Sequence, residues 1–142
     1  MLFNRYRTLS LFLIASGIAF APSVTTAEAL RVELNKLEPQ DGACRAYLVF
    51  ENRTATSFSG LTLDLVMFDG EGVIARRLAV DAAPLPADKI SVKLFDIDDL
   101  ECANVQRILI NDVLDCQDEN GEVSDCVARI ETRSRADAAL VK

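Results

Sequence analysis

Apolar and polar residues alternate with a period of two along most of the chain after residue 29, and this pattern limits the fold more than any other feature. It recurs in seven segments, which are residues 30–37, 43–52, 61–68, 72–80, 90–97, 105–114 and 126–133. A period of two places successive side chains on opposite faces of a β-strand, so each segment can cover one side of a hydrophobic core. The pattern therefore predicts seven short strands.

For two of these segments, the pattern predicts which side chains are buried and which are exposed. In the third segment, Leu63 and Leu65 fall on the face that we expect to be buried, and Thr62 and Asp64 fall on the opposite face. In the fifth segment, the apolar face is formed by Ile90, Val92 and Leu94, opposite Ser91 and Lys93. The more apolar face of a strand is expected to turn towards the core.

Turn-forming residues separate the seven segments and indicate how they connect. Asp69-Gly70 and Asn120-Gly121 are hairpin signals, because glycine adopts a positive φ at little cost. Pro84 and Pro86 predict a loop that crosses between sheets or an edge, because proline lacks the N–H of a central strand. The sequence thus predicts an all-β fold, an immunoglobulin-like antiparallel β-sandwich of about seven strands in one domain, residues 30–142. The alternative is an α+β fold with a helix over residues 127–140.

Residues 1–29 are predicted to be a cleaved signal peptide for the general secretory route. Arg5 and Arg7 precede an apolar stretch, residues 9–21, which is shorter than a membrane-spanning helix requires. Ala27 and Ala29 are the small residues that a signal peptidase needs, so we place the cut after Ala29. An uncleaved membrane anchor is the alternative. Cleavage predicts a protein of the periplasm, with no membrane insertion afterwards.

The charge and the residue types exclude several function classes. The chain has 142 residues, a formal net charge of −7 and no histidine. Removal of residues 1–29 takes away two arginines and one glutamate, which leaves a net charge of −8. An acidic balance argues against nucleic acid as a partner, and the lack of histidine excludes catalytic triads and metal sites that use imidazole. No other catalytic constellation is evident, so we predict that the protein is not an enzyme and uses no cofactor.

Four cysteines follow the predicted cleavage site, and an even number in an exported domain predicts disulfides. We expect Cys44 to pair with Cys102, because they lie at the starts of the second and sixth strands, which face each other across a sandwich. We expect Cys116 to pair with Cys126, because the two flank the Asn120-Gly121 turn. A four-thiolate metal site and a redox site are the alternatives, but no C-x-x-C spacing supports either.

Two acidic segments are candidate calcium sites, because calcium binds several oxygen ligands at close range. Residues 96–101 carry four carboxylates, although Ile97 and Leu100 alternate with them as in a solvated strand end. Residues 115–125 resemble a calcium-binding loop in composition. When Gly121 is aligned with the glycine of an EF-hand, however, Cys116 and Val127 occupy the first and last ligand positions, where neither can bind calcium well. We therefore predict no metal site.

Two further groups of residues suggest contact with other molecules. Arg129, Arg133 and Arg135 form a basic cluster near the C-terminus of an acidic chain, which is either a solvated face or an ionic docking patch. Asn52-Arg53-Thr54 matches the N-glycosylation sequon. The same three residues also suit a tight turn in which the asparagine or threonine side chain bonds to the backbone.

Residues 46–95 resemble the small envelope domains of the FxLYD type. The resemblance rests on the order of an asparagine turn at residues 52–54, a strand that ends in Phe68-Asp69-Gly70-Glu71-Gly72-Val73, a proline loop and the strand of residues 89–95. The chain is also similar to small exported proteins of Gram-negative bacteria. The resemblance implies an extracytoplasmic β-sandwich that binds or supports other proteins, and it implies no catalytic residue.

The sequence favours a non-enzymatic periplasmic accessory domain that binds another cell-envelope protein. Sandwiches of this kind have exposed edge strands, which can recruit a partner strand through backbone hydrogen bonds. A proton-channel (TolQ/ExbB-like) energised envelope system is one setting for such a partner, suggested by the compartment alone. The alternative function is an exported module that binds a small ligand or calcium.

Overall fold

A computed structural model describes residues 29–142, and these residues form an immunoglobulin-like β-sandwich. The predicted signal peptide lies outside the described residues, except for Ala29. The strands are β1 (Leu30–Gln40), β2 (Ala43–Asn52), β3 (Phe58–Phe68), β4 (Ile74–Asp81), β5 (Lys89–Asp98), β6 (Arg107–Asp118), β7 (Gly121–Glu122), β8 (Ile130–Ser134) and β9 (Ala139–Val141). A 3-10 turn, Cys102–Asn104, precedes β6, and one short helix, α1, spans Cys126–Arg129. No helix within residues 29–142 is long and apolar enough to cross a membrane.

The strands form two sheets. Sheet 1 has the order β5-β2-β1-β8, and sheet 2 has the order β4-β3-β6-β7, with β9 also paired to β6. Most neighbours are antiparallel, as predicted, but β8 runs parallel to β1 and β9 runs parallel to β6. These parallel pairs arise because the C-terminal segment crosses from the edge of sheet 1 to the edge of sheet 2. It thereby covers one open side of the sandwich with the buried side chains of Ile130, Ala138 and Leu140.

The predicted turns are present, with one change of detail. The Asp69 turn joins β3 to β4, and the Asp69 carboxylate accepts hydrogen bonds from the backbone N–H of Glu71 and of Val73 at 3.0 and 2.9 Å. The positive φ falls on Gly72 (79°) and not on Gly70. The loop that contains Pro84 crosses from β4 in sheet 2 to β5 in sheet 1, as expected for a segment that cannot lie inside a sheet.

The core lies between the sheets and is mainly aliphatic. Its fully buried members come from both sheets, among them Leu34, Leu48, Phe50, Leu63, Leu65, Ile108 and Ile110. The alternation predicted for β1, β2 and the apolar face of β3 is confirmed by this burial. The burial of large aliphatic side chains supplies most of the stabilising free energy of such a domain.

Two expectations about individual segments are wrong. Asp64 of β3 was expected on a solvent-exposed face, but its side chain is only 3% exposed because Arg77 of β4 and Asn111 of β6 cover it. Residues 126–133 were expected to form one strand, but residues 126–129 form α1 and only Ile130 begins β8. The disulfide at Cys126 holds this helical turn beside β6. The longer helix considered over residues 127–140 is absent from the described chain.

Candidate interaction surface

The four cysteines form the two predicted disulfides. Cys44 pairs with Cys102, with a Cα–Cα distance of 4.9 Å, and Cys116 pairs with Cys126 at 6.5 Å. The first bond joins β2 of sheet 1 to the 3-10 turn that leads into β6 of sheet 2, so it crosses between the sheets as expected. The second closes the final hairpin on α1. Two disulfides fit an exported protein that folds in an oxidising compartment.

Two of the four carboxylates in residues 96–101, those of Asp96 and Asp99, pair with different arginines. Arg45 holds Asp96 through two hydrogen bonds of 2.7 and 2.9 Å, and this contact lowers the pKa of the Asp96 carboxyl. Arg76 donates to the Asp99 carboxylate at 2.8 Å. Within residues 29–142, no group of three or more His, Cys, Asp or Glu side chains is placed to hold a metal ion. The calcium hypothesis for residues 96–101 and 115–125 therefore has no support from such a group in the described part of the chain.

The loop of residues 115–125 contains the β6–β7 hairpin and lines an open groove of about 940 Å³. Asp115 of this loop accepts a hydrogen bond from Gln117 at 2.9 Å. Lys142 also lines the groove, and its ammonium group donates to the backbone carbonyl oxygens of Val127 and Ala128 at 3.0 and 3.2 Å. These contacts connect the C-terminal end of β9 to α1.

The three arginines of the predicted basic cluster are exposed, but they lie in different places. Arg135 donates to Glu33 at 2.9 Å, and Arg133 also lies near that carboxylate. The pKa of Glu33 is lowered by hydrogen bonds from Asn35 and Arg135 and by the charges of both arginines. Arg129 lines a separate concavity, together with Asp118. Glu33 offsets part of the charge of Arg133 and Arg135. The ionic docking patch remains a prediction.

The sequon residue Asn52 is buried and serves as a turn residue. Its Nδ2 donates to the backbone oxygens of Thr56, Leu85 and Pro86 at 2.9–3.2 Å. Its Oδ1 accepts from the backbone N–H and the hydroxyl group of Thr54 at 3.0 and 2.7 Å. Since the side-chain nitrogen is enclosed by these acceptors, the structure favours the turn interpretation over glycosylation. The same contacts attach the β2–β3 turn to the proline loop before β5.

The most exposed apolar row within residues 29–142 lies on β5. Ile90, Val92 and Leu94 are 61%, 54% and 52% exposed, although the sequence suggested that this face points to the core. The opposite face turns inward instead: Phe95 is half-buried and Ile97 is fully buried, and they pair with Ala46 and Cys44 of β2. β5 is also an edge strand, paired only with β2 in the described chain.

The outer face of β2 continues this apolar row. Val49 lies opposite Val92, and Tyr47 lies opposite Leu94, so both extend the surface towards the middle of sheet 1. Beyond them the sheet is charged. Arg31 of β1 forms ion pairs with Glu51 and Glu131 at 3.0 and 3.3 Å. We call Ile90, Val92, Leu94, Val49 and Tyr47 the β5 patch.

Sequence reasoning missed the β5 patch because it assigned the more apolar face of the strand to the core. A signal was present in the other face, where Phe95 and Ile97 follow Ser91 and Lys93 at alternate positions. A lysine that points inward at a sheet margin is typical of an edge strand. In the structure, Lys93 reaches the backbone carbonyl of Ala83 at 3.2 Å, so its charge stays at the margin of the core.

Comparison with known proteins supports the fold. No family model matches the chain, and no curated protein matches it. A solved structure of IrmA from Escherichia coli does match. The TM-score is 0.57 at 12% sequence identity, and the match covers 73% of this chain and 90% of that chain. At this identity the likeness concerns the fold alone, so the relation to FxLYD-type domains remains a prediction.

Proposed function

We propose that this chain is a non-enzymatic accessory domain of the periplasm that binds another cell-envelope protein through the edge of β5. One observation carries the proposal: an unpaired sheet edge coincides with a row of exposed aliphatic side chains. Single exposed apolar residues are common on protein surfaces, but a continuous row beside free backbone groups is typical of an interaction site.

The edge suits an extended segment of the partner. Such a segment would form backbone hydrogen bonds with β5, and its alternate side chains would pack on Ile90, Val92 and Leu94. The partner segment should therefore carry apolar residues at every second position over about five residues. The carboxylate next to the row is already matched, since Arg45 neutralises Asp96 beside Leu94. Apolar contacts are thus expected to contribute more than ionic contacts.

The non-enzymatic part of the proposal is supported by the surroundings of the carboxylates. The pKa is lowered for five described carboxyl groups, those of Glu33, Glu38, Glu51, Asp64 and Asp96. Each of them has an arginine or lysine partner, which is the usual pattern of structural ion pairs. General acid catalysis near neutral pH requires the opposite shift, a carboxyl group whose pKa is raised.

The periplasmic location rests on the disulfides and on the predicted signal peptide. β1 begins at Leu30, the first residue after the proposed cut, so cleavage there would leave every described strand intact. Intact-mass measurement of the exported protein tests this directly. We expect a chain that begins at Leu30, and a chain that retains residues 1–29 would favour a membrane anchor. A partner that belongs to a proton-channel (TolQ/ExbB-like) envelope system is a further proposal, which is based on the periplasmic location alone.

Site-specific photo-crosslinking tests the docking proposal. A photoreactive residue replaces Val92 in the full-length chain expressed in its host, and Leu114 is replaced as a control because it is 57% exposed on β6 in the other sheet. We expect position 92 to crosslink to one envelope protein, within a segment of alternating apolar residues. Val92→Lys should abolish co-purification of that protein and Leu114→Lys should not. Equal crosslinking from both positions, or none from position 92, would overturn the proposal.

A further inference from the structure

We propose that two copies of this chain pair through β5, antiparallel about a two-fold axis at Val92, so that their four-stranded sheets form one continuous sheet. This inference deepens the proposed function, since it concerns regulation of the same edge. A second copy would cover the β5 patch, and a partner segment would have to displace it. The free edge and the exposed row motivate the idea, and the charged and apolar side chains of β5 together restrict the register.

The symmetry restricts the registers that are available. Opposite residues of antiparallel strands point to the same face of a sheet, so the two-fold axis must pass through a residue and not between two residues. With the axis at Val92, each Val92 lies opposite the other, and Ile90 lies opposite Leu94 of the second copy. The three exposed side chains of each copy then form one apolar stripe across the junction. Pairs of aliphatic side chains across antiparallel strands stabilise a sheet.

The opposite face of β5 is compatible with this register. Ser91 lies opposite Lys93 of the second copy, and Lys89 lies opposite Phe95. No two like charges therefore face each other between Lys89 and Phe95. The pairing ends at Asp96, because this residue would lie opposite Asp88 of the second copy, beyond the start of β5.

Neighbouring registers are less favourable. With the axis at Ser91, Lys89 of each copy would lie opposite Lys93 of the other. With the axis at Lys93, the two Lys93 residues would face each other. With the axis at Leu94, Asp96 of each copy would lie opposite Val92 of the other and would cover part of the apolar row with a carboxylate. Like charges directly opposite each other destabilise a pair of strands, which disfavours the Ser91 and Lys93 axes. The Val92 axis is preferred to the Leu94 axis because it keeps the row of Ile90, Val92 and Leu94 free of carboxylates.

The proposed assembly is closed. A two-fold contact uses the same surface on both copies, so both β5 edges are consumed and no third copy can add there. The other edge of sheet 1 is β8, whose outward side chains include Glu131 and Arg133. Charged side chains on an edge strand oppose further strand addition. The expected product is therefore a dimer and not an open fibre.

Cysteine crosslinking of the exported mature protein tests the register. We expect Val92→Cys to form a disulfide-linked dimer under mild oxidation, because the two side chains meet at the axis. Ile90→Cys and Leu94→Cys should each remain unlinked when oxidised alone, but a mixture of the two should form a disulfide-linked heterodimer. Leu114→Cys, with similar exposure, is the control and should remain unlinked. Peptide mapping confirms that the native disulfides are unchanged.

Sedimentation of the unmodified protein provides a second measurement. We expect a concentration-dependent dimer that Val92→Lys converts to a monomer, whereas Leu114→Lys has no effect. The inference would be overturned by any of three results: Val92→Cys that forms no disulfide-linked dimer, Ile90→Cys that forms one without Leu94→Cys, or a dimer that Val92→Lys leaves unchanged.

The two proposals can fail separately. A monomer whose position 92 crosslinks to an envelope protein refutes only the dimer, and a dimer without such crosslinks refutes only the heterologous partner.

Discussion

The Asp64 carboxylate gives the most specific prediction about the free energy of unfolding, because it is buried and charged and forms an ion pair with Arg77. Arg77 donates to its two oxygens at 2.8 and 2.9 Å, and Asn111 donates at 2.6 Å. A hydrogen bond to a charged group contributes about 1.5–3 kcal/mol net. Both donor residues are exposed and can bond to water once the carboxylate is removed. We therefore expect Asp64→Asn to lower the free energy of unfolding by about 2 kcal/mol at pH 7.

The effect of Asp64→Asn should depend on pH in a defined direction. The hydrogen bonds from Arg77, and then those from Asn111, lower the pKa of the Asp64 carboxyl below its ordinary value of 3.8. A group whose folded-state pKa is lowered stabilises the fold above its unfolded-state pKa, and this contribution is lost as the pH falls through the folded-state value. The difference between wild type and Asp64→Asn should thus be complete above about pH 5 and should shrink below pH 3.8.

Urea denaturation of both proteins at pH 7 and at pH 3 measures this difference. Asp137→Asn is the matched control, since Asp137 is exposed and lies on a loop, and it should change the stability by less than about 0.5 kcal/mol. In a double-mutant cycle, Asp64→Asn combined with Arg77→Gln should cost less than the sum of the single changes. A loss at pH 7 no larger than that of the control, or a loss of the same size at pH 3, would refute the reasoning.

Three further changes test the core and the connections. The double change Cys44→Ser and Cys102→Ser opens a loop of 58 residues and should cost about 4 kcal/mol in urea denaturation, and a loss below about 1 kcal/mol would contradict it. Leu63→Ala should cost about 2–5 kcal/mol, whereas Thr62→Ala should cost less than about 1 kcal/mol; equal losses would contradict the burial of one face. Asn52→Ala leaves three backbone oxygens without its amide and should cost about 1–3 kcal/mol; an unchanged unfolding midpoint would contradict this.

Much of the sandwich could be predicted from the sequence, because the dominant signals are local. The alternation of β1 and β2, the Asp69 turn and the proline crossing depend on neighbouring residues only, and each is found where it was expected. The cysteine pairing could also be inferred, since Cys44 lies at the start of β2 and Cys102 lies in the turn that leads into β6 of the facing sheet.

The errors arose where distant parts of the chain determine the outcome. The burial of Asp64 depends on side chains from β4 and β6, and no local pattern indicates them. The parallel pairing of β8 and β9 depends on the crossing of the C-terminal segment between sheets. The orientation of β5 is set by Ile97, which must be buried beside Cys44, and this requirement outweighs the apolar row at the other end of the strand.

The most direct test of the central claim is amide hydrogen exchange, measured for the mature domain alone, at a dilution where sedimentation shows a monomer, and for the domain bound to envelopes extracted from its host. An added strand should protect the backbone of the segment that it pairs with. We predict slower exchange in residues 89–95 of β5 upon binding, with no change in residues 110–116 of β6. Val92→Lys should remove that protection. Unchanged exchange in β5 in a bound sample, or protection centred on another part of the chain, would contradict the account.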